Sequence, residues 1–277
     1  MTRPVPSFPD VRPAIAQATS PRPYIGITDF MLRSEVEAMM KVMRSCGSPY
    51  PLAVGVMMSR KTLLGLPTKW ATAFPANDRI ATIFVDDDDA MNVLHYADYD
   101  AASSDEDLRR AALLGGPLLD AIQFDMIWPN ETDLLSLKWR NPHLGFVLQV
   151  GANAMAAEGD EPARVARRLE RYREKGLVDY VLLDKSMGRG LGMDATVLLP
   201  FVRRIKDALP DVGIVVAGGL GPETTHLVEP ILREFPDVSI DAQGQLRRSG
   251  DARDPIEWDR AAHYLLCANA LYARCRR

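Results

Sequence analysis

The chain has 277 residues, 47% of them hydrophobic and 25% charged, with a formal net charge of -4. That balance is a globular one, and it excludes a disordered chain and a general basic field of the kind that attracts nucleic acid. No apolar run approaches the roughly 18 residues that a membrane-spanning helix needs.

Residues 1–22 are rich in proline and lack the long apolar core of a signal peptide. We read them as a surface arm that could serve a homodimer, with a disordered segment as the alternative. From residue 23 onward, short apolar runs alternate with helical patterns. The expected strands are YIGIT, LAVGVMM, IATIFV, AIQFDMI, GFVLQV, DYVLLD, GIVVAGG and VSIDAQG. They are rich in Val and Ile and mostly continuous, as buried parallel strands are. Helices are expected at SEVEAMMKVMRS, SDEDLRRAALLGG, EPARVARRLERYREKG, DATVLLPFVRRIKDALP, PETTHLVEPILREF and EWDRAAHYLLCANALYARCRR. Eight such units predict a single (β/α)8 barrel over residues 23–277, with a doubly wound open sheet as the competing arrangement.

The acidic run Asp86 to Asp89 reads as a helix start rather than a metal site, because consecutive acids seldom converge on one ion. The histidines His95, His143, His226 and His263 have no metal-ligand spacing, so neither a metal nor a cofactor is expected. Cys46, Cys267 and Cys275 form an odd set without pairing logic. They point to a reducing compartment, and a cytoplasmic location is expected.

A barrel carries its chemistry at the C-terminal ends of its strands. Gly218 and Gly219 fall where the seventh strand meets its loop, and Gly221, Pro222 and Glu223 fit the cap and first turn of a helix. Gly244 holds the matching position after the eighth strand. Backbone amides beside a helix start bind anions, so these four glycines predict a grip for a phosphorylated small molecule. Tight turns alone would also explain them. Gln149, a polar residue late in an apolar strand, is expected to find a partner near the mouth.

The stretch VVAGGLGPETT (residues 215–225) resembles the seventh-strand motif of the phosphoribosylanthranilate isomerases, typically L-A-G-G-L-x-P-E-N-V. Other segments agree in order: IGIT with the first strand, GVMMSRKTL with a second-strand S-x-R, IQFD with the fourth, LLDKSMGRGLGMD with the sixth, and VSIDAQG with the eighth. The resemblance covers most of the barrel and is most specific at the sixth and seventh strands. It implies an aldose-to-ketose isomerisation of a phosphorylated amino-sugar, without a cofactor. It implies that Asp184 is the general acid, that Arg60 faces a substrate carboxylate, and that Gln123 lines the mouth. The family's base is a first-strand cysteine, and here that position is Ile25, which has no proton chemistry. Asp125, at the family's fourth-strand histidine position, and Asp29, just past the first strand, are the candidate replacements. A lyase or aldolase on a phosphorylated compound, with Lys185 as a Schiff-base candidate, and a non-catalytic phospho-ligand binder are the alternatives. The glycines Gly188, Gly190 and Gly192 around Arg189 suggest a loop that closes over a ligand.

Overall fold

The computed structural model describes residues 21–185 and 193–276. Eight parallel strands close into a barrel in sequence order. They are β1 (Ile25–Thr28), β2 (Leu52–Ser59), β3 (Ala90–Ala97), β4 (Ala121–Asp125), β5 (Gly145–Gly151), β6 (Tyr180–Asp184), β7 (Gly213–Ala217) and β8 (Ser239–Ala242). The ring shuts where Ile25 of β1 pairs with Ile240 of β8. The longer helices form the outer layer: α1 (Arg33–Ser45), α4 (Asp105–Gly115), α5 (Glu131–Arg140), α7 (Pro162–Glu174), α8 (Ala195–Ala208) and α10 (Trp258–Cys275). Shorter helices fill the joints: α2 (Arg60–Leu63), α3 (Ile80–Ile83), α6 (Ala152–Ala157) and α9 (Glu229–Glu234).

Alternation along each strand divides the core in two. Outward side chains, such as Ile25, Val54, Leu94, Phe146 and Ile240, pack beneath the helices as one large cluster. Inward side chains form a second, smaller one: Tyr24, Ala53, Val93, Ala121, Val147, Tyr180, Leu182 and Val215. Tyr24 and Tyr180 close the N-terminal end with ring centroids 5.4 Å apart, and the Tyr180 hydroxyl donates to the Arg22 carbonyl at 2.7 Å. None of the described helices is long and apolar enough to cross a membrane.

The barrel matches the expected order, with one exchange. IATIFV is not the third strand; it forms α3 and an extended exit, with Ile80, Ile83 and Phe84 buried behind the sheet. The third strand is AMNVLHYA, in which the buried polar residues Asn92 and His95 interrupt the apolar run. Asn92 is fixed by bonds to the Val85 and Leu118 carbonyls, both at 2.8 Å. The acidic run opens no helix: it turns into β3, and Asp87 pairs with Arg44. Among the described residues, no group of His, Cys, Asp and Glu side chains is arranged to hold a metal. The first 20 residues of the arm, and Gly188, Arg189, Gly190 and Gly192, lie outside the described residues.

Candidate active site

The inward position that ends each strand faces the barrel mouth. Asp125 ends β4 and Asp184 ends β6, in step with the inward Tyr180 and Leu182 below it. Between them, on β5, Gly151 pairs in register with Asp184. A Cβ on Gly151 would meet only the Asp184 carbonyl oxygen, at an ordinary 3.6 Å. Crowding therefore does not demand this glycine; its effect is a rim bare of side chains between the two acids.

Asp125 accepts a short hydrogen bond from the hydroxyl of Tyr99, a residue of the loop after β3. Burial pushes its carboxyl up to about 6, the Tyr99 bond opposes this, and the Asp184 charge adds to it. Although the Tyr99 side chain is largely exposed, its hydroxyl is turned against Asp125, where desolvation first and the Asp125 charge next raise it above its ordinary value, so it stays a donor. Tyr99 sits there because Asp98 ties the loop, accepting from the backbone of Ala102 at 2.9 Å and of Ser103 at 2.7 Å.

One layer deeper, Gln123 Nε2 donates to Gln149 Oε1 at 2.7 Å, the partnership expected of Gln149. The Gln123 Oε1 is buried and has no partner among the described residues. Beside this pair lies a buried polar cluster that sequence reasoning missed. The Thr28 hydroxyl donates to Asp241 Oδ2 at 3.0 Å, and a His95 ring nitrogen lies 3.4 Å from the same hydroxyl. Burial holds His95 down to about 3, so it is neutral, and pushes Asp241 up to about 7, with Asp29 and Asp184 adding to the rise. Two inward glycines make room for the cluster. A Cβ on Gly26 would stand 2.5 Å from Asp241 Oδ1, and one on Gly55 would stand 2.7 Å from Thr28 Oγ1 and 2.9 Å from His95 Nε2. The available signal was parity: Thr28, His95 and Asp241 all take inward positions, beside the inward glycines Gly26 and Gly55.

Three sequence-level expectations need correction. Ile25 is fully buried among the outward side chains, so a cysteine there would sit beneath the helices rather than in the lumen. The mouth position of β1 belongs to Thr28. Asp29, at φ 88°, is no free base: its carboxylate accepts from Arg247 Nη2 at 2.7 Å and Gln243 Nε2 at 3.1 Å. This buried ion pair ties the loop after β8 to the end of β1. Arg60 follows an inward Ser59 and turns outward, where its Nε donates to Asp107 of α4 at 3.0 Å. The carboxylate it meets belongs to the protein.

The expected grip is altered as well. Gly218 and Gly219 do close β7 with φ of 107° and 65°, which explains glycine at both. No α-helix begins at Gly221, however. Residues 222–224 form a turn, a 3-10 segment follows at Thr225–Val228, and α9 comes only after that. The amides of Thr224 and Thr225 are spent on the Gly221 carbonyl, at 3.1 and 2.9 Å. Gly221 is required by packing: its Cβ would lie 2.7 Å from the Gln245 Cβ and 2.8 Å from the Gln245 carbonyl. Gly244 opens a 3-10 turn, Gly244–Leu246, in that facing loop. Lys185 points away from Asp184 and pairs with Asp160 at 3.2 Å.

No protein-family model matches the chain, and no curated protein matches it. Solved structures do. The carboxyl transferase domain of Rhizobium etli pyruvate carboxylase is similar at a TM-score of 0.53 and 10% identity, over 91% of this chain and 48% of that one. A chitinase domain from Pyrococcus furiosus gives 0.52 and 10%, over 93% and 97%. A Rubisco-like protein from Rhodopseudomonas palustris gives 0.51 and 11%, over 92% and 65%. The likeness is one of fold. Unrelated chemistries share this barrel, so function must be argued from the mouth itself.

Proposed function

We propose that the barrel catalyses proton transfer on a phosphorylated sugar derivative, in the manner of the phosphoribosylanthranilate isomerases it resembles, with Asp125 in place of the family's cysteine. The observation that carries this is the pair Asp125 and Asp184 on one open rim, coupled by charge, with Asp125 poised near 6. A base of that strength is mostly ionised at neutral pH and still able to take a proton from carbon. In this reading the two carboxyls share one proton when substrate binds, and it passes from the pair through Asp184 to the ring oxygen as the furanose opens. Asp125 removes the proton from C2, and the electron pair moves into the enol that becomes the ketose. Tyr99 holds Asp125 in place. The unpartnered Gln123 Oε1 suits a substrate hydroxyl. The phosphate rests on the backbone at Gly218 and Gly219, since no strand contributes a lysine or arginine. A Schiff-base lyase is disfavoured because Lys185 is committed outside the lumen.

The test is exchange of the C2 proton with solvent. A panel of phosphorylated aldoses and N-substituted phosphoribosylamines is incubated with the native chain in deuterium oxide and read by mass spectrometry. Native protein should introduce deuterium at C2 of a substrate, and Asp125→Asn should slow that exchange by about 10²–10⁴-fold. Phosphate should also raise the melting temperature of native protein but not of Gly219→Val. Protection without exchange on any substrate would favour the non-catalytic binder.

A further inference from the structure

A cluster of arginines lies in the outer layer, on α7. Its sequence places Arg164, Arg167, Arg168 and Arg171 at spacings of three and four, hence on one helix face over about 10 Å. These four arginines and Glu158 line a cavity of about 420 Å³. On a chain of net charge -4 this is a local reversal of sign.

The arginines are not equally occupied. Arg164 pairs with Glu161 at 2.9 Å, and Arg171 with Glu131 at 2.8 Å. Arg167 and Arg168 make no ion pair among the described residues. Arg168 is also positioned in advance. Its guanidinium stands 5.6 Å from the ring centroid of Trp128 and 6.0 Å from that of Tyr172. Both rings are fixed in turn: Trp128 Nε1 donates to the Ala154 carbonyl at 3.1 Å, and the Tyr172 hydroxyl to the Pro129 carbonyl at 2.6 Å. Trp128 holds that place with φ at 47°, an uncommon conformation for a bulky residue. The Arg168 Nε is nonetheless buried without a partner. A buried donor left open beside a cationic cavity is what an incoming oxyanion satisfies.

We propose that this groove binds the diphosphate group of a small molecule. Guanidinium forks match phosphate oxygens two at a time, and two arginines without an ion pair among the described residues, flanked by two paired ones, suit two linked phosphates better than one. Arg168 also borders a neighbouring cavity of about 440 Å³ that contains Trp128, Asn130 and Ser103. That space takes the organic remainder, whose ring can lie against Trp128 and whose hydroxyl or amino groups can donate to the carboxylates Asp98, Glu131 and Asp133 that also line it.

The site is tested by calorimetric titration of inorganic pyrophosphate into the full chain at low ionic strength. Native protein should bind it, with affinity falling as salt rises. Arg167→Glu, an exposed change that removes no internal bond, should weaken binding at least tenfold. Arg168→Lys, which keeps the charge and loses the fork, should weaken it several-fold. Gly219→Val, at the barrel mouth, should keep the binding component that Arg167→Glu loses, which separates this site from the proposed substrate phosphate. No binding to native protein, equal binding to Arg167→Glu, or loss in Gly219→Val alone would each overturn the assignment.

Discussion

Replacing Asp241 by asparagine should stabilise the protein at alkaline pH and leave it nearly unchanged in acid. The carboxyl is buried in the lumen and held up to about 7 against an ordinary 3.8. A native carboxyl raised above its unfolded value binds its proton more tightly when folded. Its contribution is therefore complete below the unfolded value and is lost as pH rises through about 7. At about 1.4 kcal/mol per pH unit, the displacement is worth about 4 kcal/mol, of which about 3 kcal/mol falls between pH 5 and pH 8. Asparagine matches the carboxyl in shape, can still accept from Thr28, and does not ionise. The assay is urea unfolding of native and Asp241→Asn proteins at pH 5 and pH 8. The variant should gain about 3 kcal/mol on the native protein between the two. Because any fixed cost of the substitution cancels in that comparison, an unchanged gap would refute the reasoning, and so would a gap that moves the other way.

His95 should act in the opposite sense. Its folded value near 3 lies below an ordinary 6.5, so stability falls as pH drops below 6.5. His95→Gln should remove about 2 kcal/mol of the loss between pH 7.5 and pH 5, read by the same unfolding series; an unaltered slope contradicts this. Gly55→Ala should cost about 1–3 kcal/mol by overpacking, because the new Cβ would meet Thr28 and His95 below 3 Å. A melting temperature equal to native would show that the cluster yields.

The barrel was legible because continuous Val- and Ile-rich runs and amphipathic helices mark buried parallel strands and their cover. The third strand was not, because two buried polar residues, His95 facing inward and Asn92 facing outward, break the run, while IATIFV imitates a strand although it is a helical turn with a buried face. At the mouth, Asp125, Asp184, Gln123 and Gln149 were readable from their places near strand ends. Arg60 was misread because one residue of parity separates the lumen from the helix layer, and Ile25 for the same reason. The Asp241, Thr28 and His95 cluster depends on strands distant in sequence and on the small inward residues Gly26 and Gly55. No local pattern announces it. Gly221 shows the converse: a motif glycine that suggested an anion is needed because Gln245 packs against it.

The most direct test of the central claim, a charge-coupled acid pair at the mouth, needs no substrate. Carboxyl-carbon NMR of protein labelled at aspartate should show Asp125 titrating near pH 6, with the midpoint falling in Asp184→Asn once the neighbouring charge is gone. An Asp125 that titrates near 4, or one whose midpoint ignores the loss of Asp184, would contradict the account.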